Sequence, residues 1–288
     1  MFSVDSVAKK ETFYTMPELP EVEVICQGLK PHIEGRRIIA ISSGPKELRL
    51  AIPRAGLQGK ICGMRVKELS RRAKYLLFGM DNGCRFLIHL GMTGRLGIFA
   101  PESPRALHDH LVFRLDDGME MRYNDTRRFG FVVVQNGLKN EPDPLAKLGP
   151  EPFWVDFNAE YLKEKAGRRL QPAKNFLMNS QVVVGIGNIY ANEILFQSGI
   201  HPAMPIGSLT LQQWQTVVDT SRAVLTQAIK SGGTTISDYV NASGQPGYFQ
   251  LELAVYGRAG EKCKNCTSLI EKQIIAGRAT YLCPNCQQ

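Results

Sequence analysis

Strand-like hydrophobic segments punctuated by polar turns dominate the first half of the chain. From Arg37 to about Val134, short apolar runs recur with turn residues between them. Tyr75-Leu76-Leu77-Phe78 is one run, Asp81-Asn82-Gly83 turns the chain, and Phe86-Leu87-Ile88-His89-Leu90 is the next. An Asn-Gly pair between two such runs signals a hairpin, because both residues accept the positive φ a tight turn needs. Further strands are predicted at Leu111–Leu115, Glu120–Tyr123 and Phe129–Val134, with a turn at Asp116-Asp117-Gly118. Together they predict an antiparallel sandwich or barrel-like module.

The period then changes. Four prolines between Asn140 and Pro152 mark a linker. Helical spacing follows, at Ala159–Ala166, Pro172–Asn179, Asn188–Ser198 and Thr210–Ser231, with a short helix after Thr235. A Gly/Ser/Pro-rich stretch, Asn241–Gly247, precedes a last module beginning near Gln250. One more helix belongs at the start. Pro20 suits a first turn, and Glu21 and Glu23 complement the positive end of the helix dipole. Val22, Ile25, Cys26 and Leu29 form its buried stripe, and Gly28 with Pro31 marks its end. No internal repeat is visible. The units read as 16–145, 146–249 and 250–288, after an extension of residues 1–15.

A chain of 288 residues can bury more than one core. No apolar run approaches the length of a membrane-spanning helix. The first fifteen residues lack arginine and the apolar stretch of a signal peptide, and the charges of Asp5, Lys9, Lys10 and Glu11 cancel. They read as an extension, a fusion scar or a start codon placed too far upstream. The net charge of +8 favours a polyanionic partner. Basic residues cluster at Arg71, Arg72 and Lys74, at Arg127 and Arg128, and at Lys163, Lys165, Arg168, Arg169 and Lys174.

Of seven cysteines, Cys26, Cys62 and Cys84 are scattered and read as reduced, buried side chains. The other four form Cys263-x-x-Cys266 and, after sixteen intervening residues, Cys283-x-x-Cys286. Two thiolate knuckles complete a tetrahedral shell, and zinc fits it with no open position, so the metal is structural. A redox role would need only one pair. Between the knuckles, Gln273–Leu282 reads as a β-hairpin turning at Ala276-Gly277, with Arg278 near its tip.

Three further features carry chemistry. If Met16 initiates and is removed, Pro17 becomes a secondary amine with a pKa near ~8. Such an amine can attack a sugar aldehyde carbon and form an iminium. Glu18 and Glu21 would stand beside it as proton donors or electrostatic partners. In the chain as written the Pro17 nitrogen is a tertiary amide, which cannot attack. Next, Gly185-Ile186-Gly187 leads into the helix at Asn188, where backbone N–H groups can approach a phosphate. Finally, Arg127-Arg128-Phe129 pairs guanidiniums with an aromatic that can wedge into a base stack, or marks a strand edge with a buried phenylalanine.

In order along the chain, these motifs resemble the formamidopyrimidine-DNA glycosylase family. The resemblance rests on Pro17-Glu18-Leu19-Pro20-Glu21-Val22-Glu23, Arg71-Arg72-Ala73-Lys74-Tyr75, His89-Leu90-Gly91-Met92-Thr93-Gly94, His108-Asp109-His110, Asp125-Thr126-Arg127-Arg128-Phe129-Gly130, the glycine turn into Asn188 and the four-cysteine finger. It runs from Met16 to Gln288. Leu19 is similar to the oxidised-purine branch rather than the endonuclease VIII branch.

The resemblance implies an α+β fold. An N-terminal antiparallel β-sandwich with flanking helices is followed by a helix–two-turn–helix domain and a C-terminal zinc-finger hairpin. It implies removal of 8-oxoguanine and formamidopyrimidines from double-stranded DNA, with the damaged base flipped out, followed by strand cleavage at the abasic site. By position, Pro17 is the nucleophile, Glu18 assists sugar-ring opening, and Lys74 and Arg278 serve β- and δ-elimination. Met92, Arg127 and Phe129 fill the gap left by the base. His108, Arg127 and Arg169 contact DNA, and Lys174 and Asn188 contact phosphate. One structural Zn2+, no redox cofactor, monomeric action and a bacterial cytoplasmic location at the nucleoid complete the expectation. Three positions depart from the family pattern: Pro17 is internal, Thr126 replaces a common proline, and Ser237 stands where many members carry Lys or Arg. A non-catalytic binder of damaged DNA is the alternative if the extension is retained.

Overall fold

The computed structural model describes residues 16–136, 143–232 and 253–288. The fold is α+β. Helix α1 (Leu19–Ile33) leads into an antiparallel sandwich. One sheet has the order β1-β6-β7-β5 (Ile38–Ser43, Asp109–Leu115, Glu120–Asp125, Gly94–Phe99). The other has the order β2-β3-β4-β8 (Val66–Arg72, Tyr75–Met80, Arg85–His89, Phe131–Gln135). The short helix α2 (Arg54–Gly56) and a wider turn at Leu57–Ile61 flank them. One core joins Leu29 and Ile33 of α1 to Phe78, Phe86 and Phe113 of the two sheets.

The hairpin expected around Asp81-Asn82-Gly83 joins β3 to β4, and Gly83 takes a φ of +82°. Three strands escaped the pattern. β1 and β2 are sheet edges, so their alternation is diluted by exposed positions. β5 carries two glycines, and at Gly94 a Cβ would run into the Leu90 carbonyl. α1 continues through Pro31 to Ile33, beyond the expected stop. The missing N–H falls in the last turn, and burial of Leu29 and Ile33 carries the helix past it. Phe129 lies outside the strand expected from Phe129 to Val134. It is exposed in a loop, and β8 starts at Phe131.

The second module is helical: α3 (Ala159–Ala166), α4 (Ala173–Leu177), α5 (Asn188–Gln197) and α6 (Leu211–Lys230). Asn158 caps α3, and Thr210 with Gln213 forms a capping box on α6. Trp214, Phe176 and Tyr190 anchor its core. The third module is the hairpin β9 (Glu271–Ile275) and β10 (Arg278–Leu282), which packs on α5. The helix expected after Thr235, the stretch Asn241–Gly247, Ser237 and the extension lie outside the described residues.

Candidate active site and nucleic-acid interface

The first turn of α5 has no cap from its own neighbours. Its orphan amides are satisfied by Glu18, from the other end of the chain. The Glu18 carboxylate accepts Gly187 N–H at 2.6 Å, Ile189 N–H at 2.9 Å and Tyr190 N–H at 3.4 Å. A buried carboxylate thus sits on the positive end of a helix. Burial raises the Glu18 pKa above the usual carboxylate value. The Lys74 charge and the amide hydrogen bonds oppose that rise, and Glu21 adds to it.

Glu21 holds the segment from below. It accepts the Glu18 N–H at 2.9 Å and the Tyr190 hydroxyl at 2.7 Å. Leu19 N–H donates to the Gly185 carbonyl at 3.0 Å. Gly185 has φ +83°, and a Cβ there would press 2.5 Å from the Leu19 Cβ. At Gly187 a Cβ would stand 2.7 Å from the Lys74 Nζ and closer still to the Glu18 carboxyl. The glycines therefore let Glu18 and Lys74 meet at the helix terminus. Pro17 is half-buried immediately before Glu18.

The finger reaches the same place. Lys174 is 1% exposed, and its Nζ donates to the Ala279 carbonyl at 2.8 Å and to Thr280 Oγ1 at 2.7 Å. Asn188 Nδ2 donates to the same carbonyl at 3.1 Å. Arg278 immediately precedes Ala279 and is exposed. Burial first and the Arg278 charge second lower the Lys174 pKa to about 8, against an opposing effect of Glu18. Asn192 accepts Tyr281 N–H at 2.7 Å, and Glu193 accepts the amides of Ala254, Val255 and Tyr256. Glu18, Lys74, Lys174, Asn188 and Arg278 are thereby brought together.

Met92, Arg127, Phe129 and His108 form a second group. The Arg127 guanidinium lies 4.6 Å over the Phe129 ring, and both side chains are exposed. Buried Asp125 ties the loops together. It accepts Thr93 Oγ1–H at 2.5 Å and Gly130 N–H at 2.9 Å, while Thr93 Oγ1 accepts Arg127 N–H at 3.0 Å. Thr93 adjoins Met92, and His108 O accepts Asp125 N–H. Thr126 is exposed in the same loop. Arg169 is exposed and stacks on Phe176 with 5.7 Å to the ring centre. Arg71 and Arg72, counted with the basic clusters, are instead paired inward with Glu151. Cys62 and Cys84 are half-buried, and Cys26 alone of the three is fully buried.

Sequence reasoning missed Asp125, Glu151, Glu193 and Tyr190 as site supports. Glu193 had a signal, a single acid among Ile, Leu and Phe on α5. Charges in such settings are retained when hydrogen-bonded.

The four finger cysteines place their sulfurs within 4.8 Å of one another. A tetrahedral shell with Zn–S bonds of about 2.3 Å needs sulfurs about 3.8 Å apart. Cys263 and Cys286 lie at 3.9 Å, Cys266 and Cys283 at 3.4 Å. The donor set fits one structural zinc with no open position.

Comparison with known proteins agrees with this architecture. The formamidopyrimidine-DNA glycosylase N-terminal domain model matches residues 16–132, the H2TH domain model of the same enzymes matches 148–240, and a zinc-finger model matches 260–288. A formamidopyrimidine-DNA glycosylase of Aliivibrio fischeri is 46% identical over 273 residues, covering 94% of this chain and 98% of the relative. One from Legionella pneumophila is 43% identical over 272 residues. The crystal structure of a Lactococcus lactis Fpg variant with Fapy-dG-containing DNA superposes with a TM-score of 0.84 at 34% identity, covering 94% of this chain and 100% of that one. A second structure, with DNA containing an abasic site, gives the same TM-score. The sandwich, the H2TH module and the zinc finger define a DNA-binding repair enzyme. The chain belongs to the formamidopyrimidine-DNA glycosylase family and acts as a DNA glycosylase in base-excision repair.

Proposed function

We propose that the working form begins at Pro17 and removes oxidised purines, 8-oxoguanine and formamidopyrimidines, from double-stranded DNA, then cleaves the strand at the abasic site. The observation that carries this reading is the meeting of Glu18 and Lys74 at the glycine-lined start of α5, directly after Pro17. The start of the family match at Met16 and relatives bound to Fapy-dG or abasic-site DNA support it.

The Pro17 nitrogen lone pair attacks C1′, the bond from C1′ to the base breaks with its electron pair leaving on the base, and the proton shed by the Pro17 nitrogen ends on the departing base. Glu18 delivers a proton to the ring oxygen as the C1′–O4′ bond opens, leaving an iminium. A carboxyl with a raised pKa suits that donation. The iminium acidifies the C2′ proton. Its loss expels the 3′ phosphate with Lys74 assisting, and a second elimination expels the 5′ phosphate with Arg278 assisting. Met92, Arg127 and Phe129 occupy the gap in the stack. His108, Arg127 and Arg169 hold DNA, and Lys174 and Asn188 hold phosphate. Lys174 keeps one of its three N–H donors for that purpose. The zinc holds the hairpin and takes no part in the steps.

In this reading the units 16–145, 146–249 and 250–288 act as a monomer in the bacterial cytoplasm. Borohydride trapping on an 8-oxoguanine·cytosine duplex tests it, with one form starting at Met1 and one at Pro17. Trapping at Pro17, at least by the shorter form, supports the enzyme. Lesion binding without trapping by either form favours the non-catalytic damage binder.

A further inference from the structure

Lys74 follows a residue in an unusual conformation. Ala73 has φ +55°, a left-handed setting that a side chain adopts only when its surroundings hold it. The Ala73 N–H donates to Glu151 Oε1 at 2.7 Å. The same carboxylate binds Arg72 Nη1 at 2.8 Å through Oε1 and Arg71 Nη1 at 2.8 Å through Oε2. Arg71 also donates to the Ala73 carbonyl at 3.0 Å. Both sides of the turn are therefore tied to one buried acid.

Glu151 is itself anchored beside the glycine loop. Gly149 N–H donates to the Ser180 carbonyl at 2.8 Å, and Val184 N–H donates to the Pro150 carbonyl at 3.1 Å. Val184 immediately precedes Gly185-Ile186-Gly187. The acid thus links the turn before Lys74, on the sandwich, to the loop that starts α5, on the helical module. We propose that Glu151 is the positioning residue for Lys74, holding the left-handed Ala73 turn so that the ammonium stays beside Glu18 and Gly187. This rests on the reading of Lys74 as the group that assists β-elimination.

The test is a double-mutant cycle on a duplex carrying a preformed abasic site, in single turnover, with the form that starts at Pro17. Lys74→Ala should slow strand cleavage about 100-fold. Glu151→Gln should slow it about 10-fold, because small displacements of a reacting group are costly. In the Lys74→Ala background Glu151→Gln should add no further loss. Equal losses in both backgrounds overturn the proposal and leave Glu151 a structural residue. No loss from Lys74→Ala alone overturns the reading of Lys74 itself, and the proposal with it. Glu151→Asp serves as a second variant that keeps the charge but withdraws it from Ala73. It should show a smaller, equally Lys74-dependent loss, with zinc content and duplex binding unchanged. A Lys74-independent loss would overturn the proposal.

Discussion

Glu18 Oε2 lies 2.6 Å from the Gly187 nitrogen, so the acid beside Pro17 is also the cap of a helix 169 residues away in sequence. In the proposed mechanism, chemistry and folding share this carboxylate. Glu18→Gln keeps the shape but turns an N–H donor toward the amides of α5, and it removes the titrating proton. Base excision should fall at least about 100-fold, measured in single turnover on an 8-oxoguanine duplex. Gly187→Ala should fall to a similar extent, because its methyl takes the space between Glu18 and Lys74.

Lys174 sets a pH dependence on stability. Its folded pKa of about 8 lies below the ordinary value of 10.5, so the fold disfavours its charged form. Below pH 8 the lysine is charged in both states and the full cost is present. Between pH 8 and 10.5 the folded lysine loses its proton first and the cost declines. The stability of the native sequence relative to Lys174→Met should rise across that window, checked by melting temperatures of the pair from pH 7 to 10.

Glu193 fastens the third module to α5 through three consecutive amides. In Glu193→Gln the amide NH2 faces one of these N–H groups, and a buried donor left unpaired costs about 1–3 kcal/mol. Strand cleavage should drop by about 10-fold or more while the zinc content stays at one equivalent, read by metal analysis beside the cleavage assay.

Removing the metal acts more broadly. Cys283→Ser, or a strong chelator, should unfold the finger, because small metal modules fold around the ion rather than a core. Duplex binding and strand cleavage should both be lost, and zinc should restore them in the chelated protein but not in the variant.

Phe129 stands 43% exposed beneath the Arg127 guanidinium. An abasic site has no base to evict, so a residue that fills the gap matters most when a base must leave the stack. Phe129→Ala should slow 8-oxoguanine excision by about 10-fold and abasic-site cleavage by less than about 2-fold, compared on matched duplexes.

The sequence by itself determined the local features. The Asn82-Gly83 turn, the helices at Ala159, Asn188 and Thr210 and the four-cysteine spacing follow from short-range rules of φ, period and ligand reach. The ordered motifs also carried the family, and the candidate site residues lie within them, Arg169 and Lys174 excepted. Only the tertiary structure decided which charges turn inward. Arg71 and Arg72 look like any basic run until Glu151, almost eighty residues on, is seen to hold them. Glu18 reads as a proton donor beside Pro17, yet its carboxylate also caps α5. Lys174 sits in a basic cluster, yet its ammonium is buried against Thr280. Each outcome depends on the desolvation of a charge and the long-range partner that compensates it. Neither is encoded in the spacing of neighbouring residues.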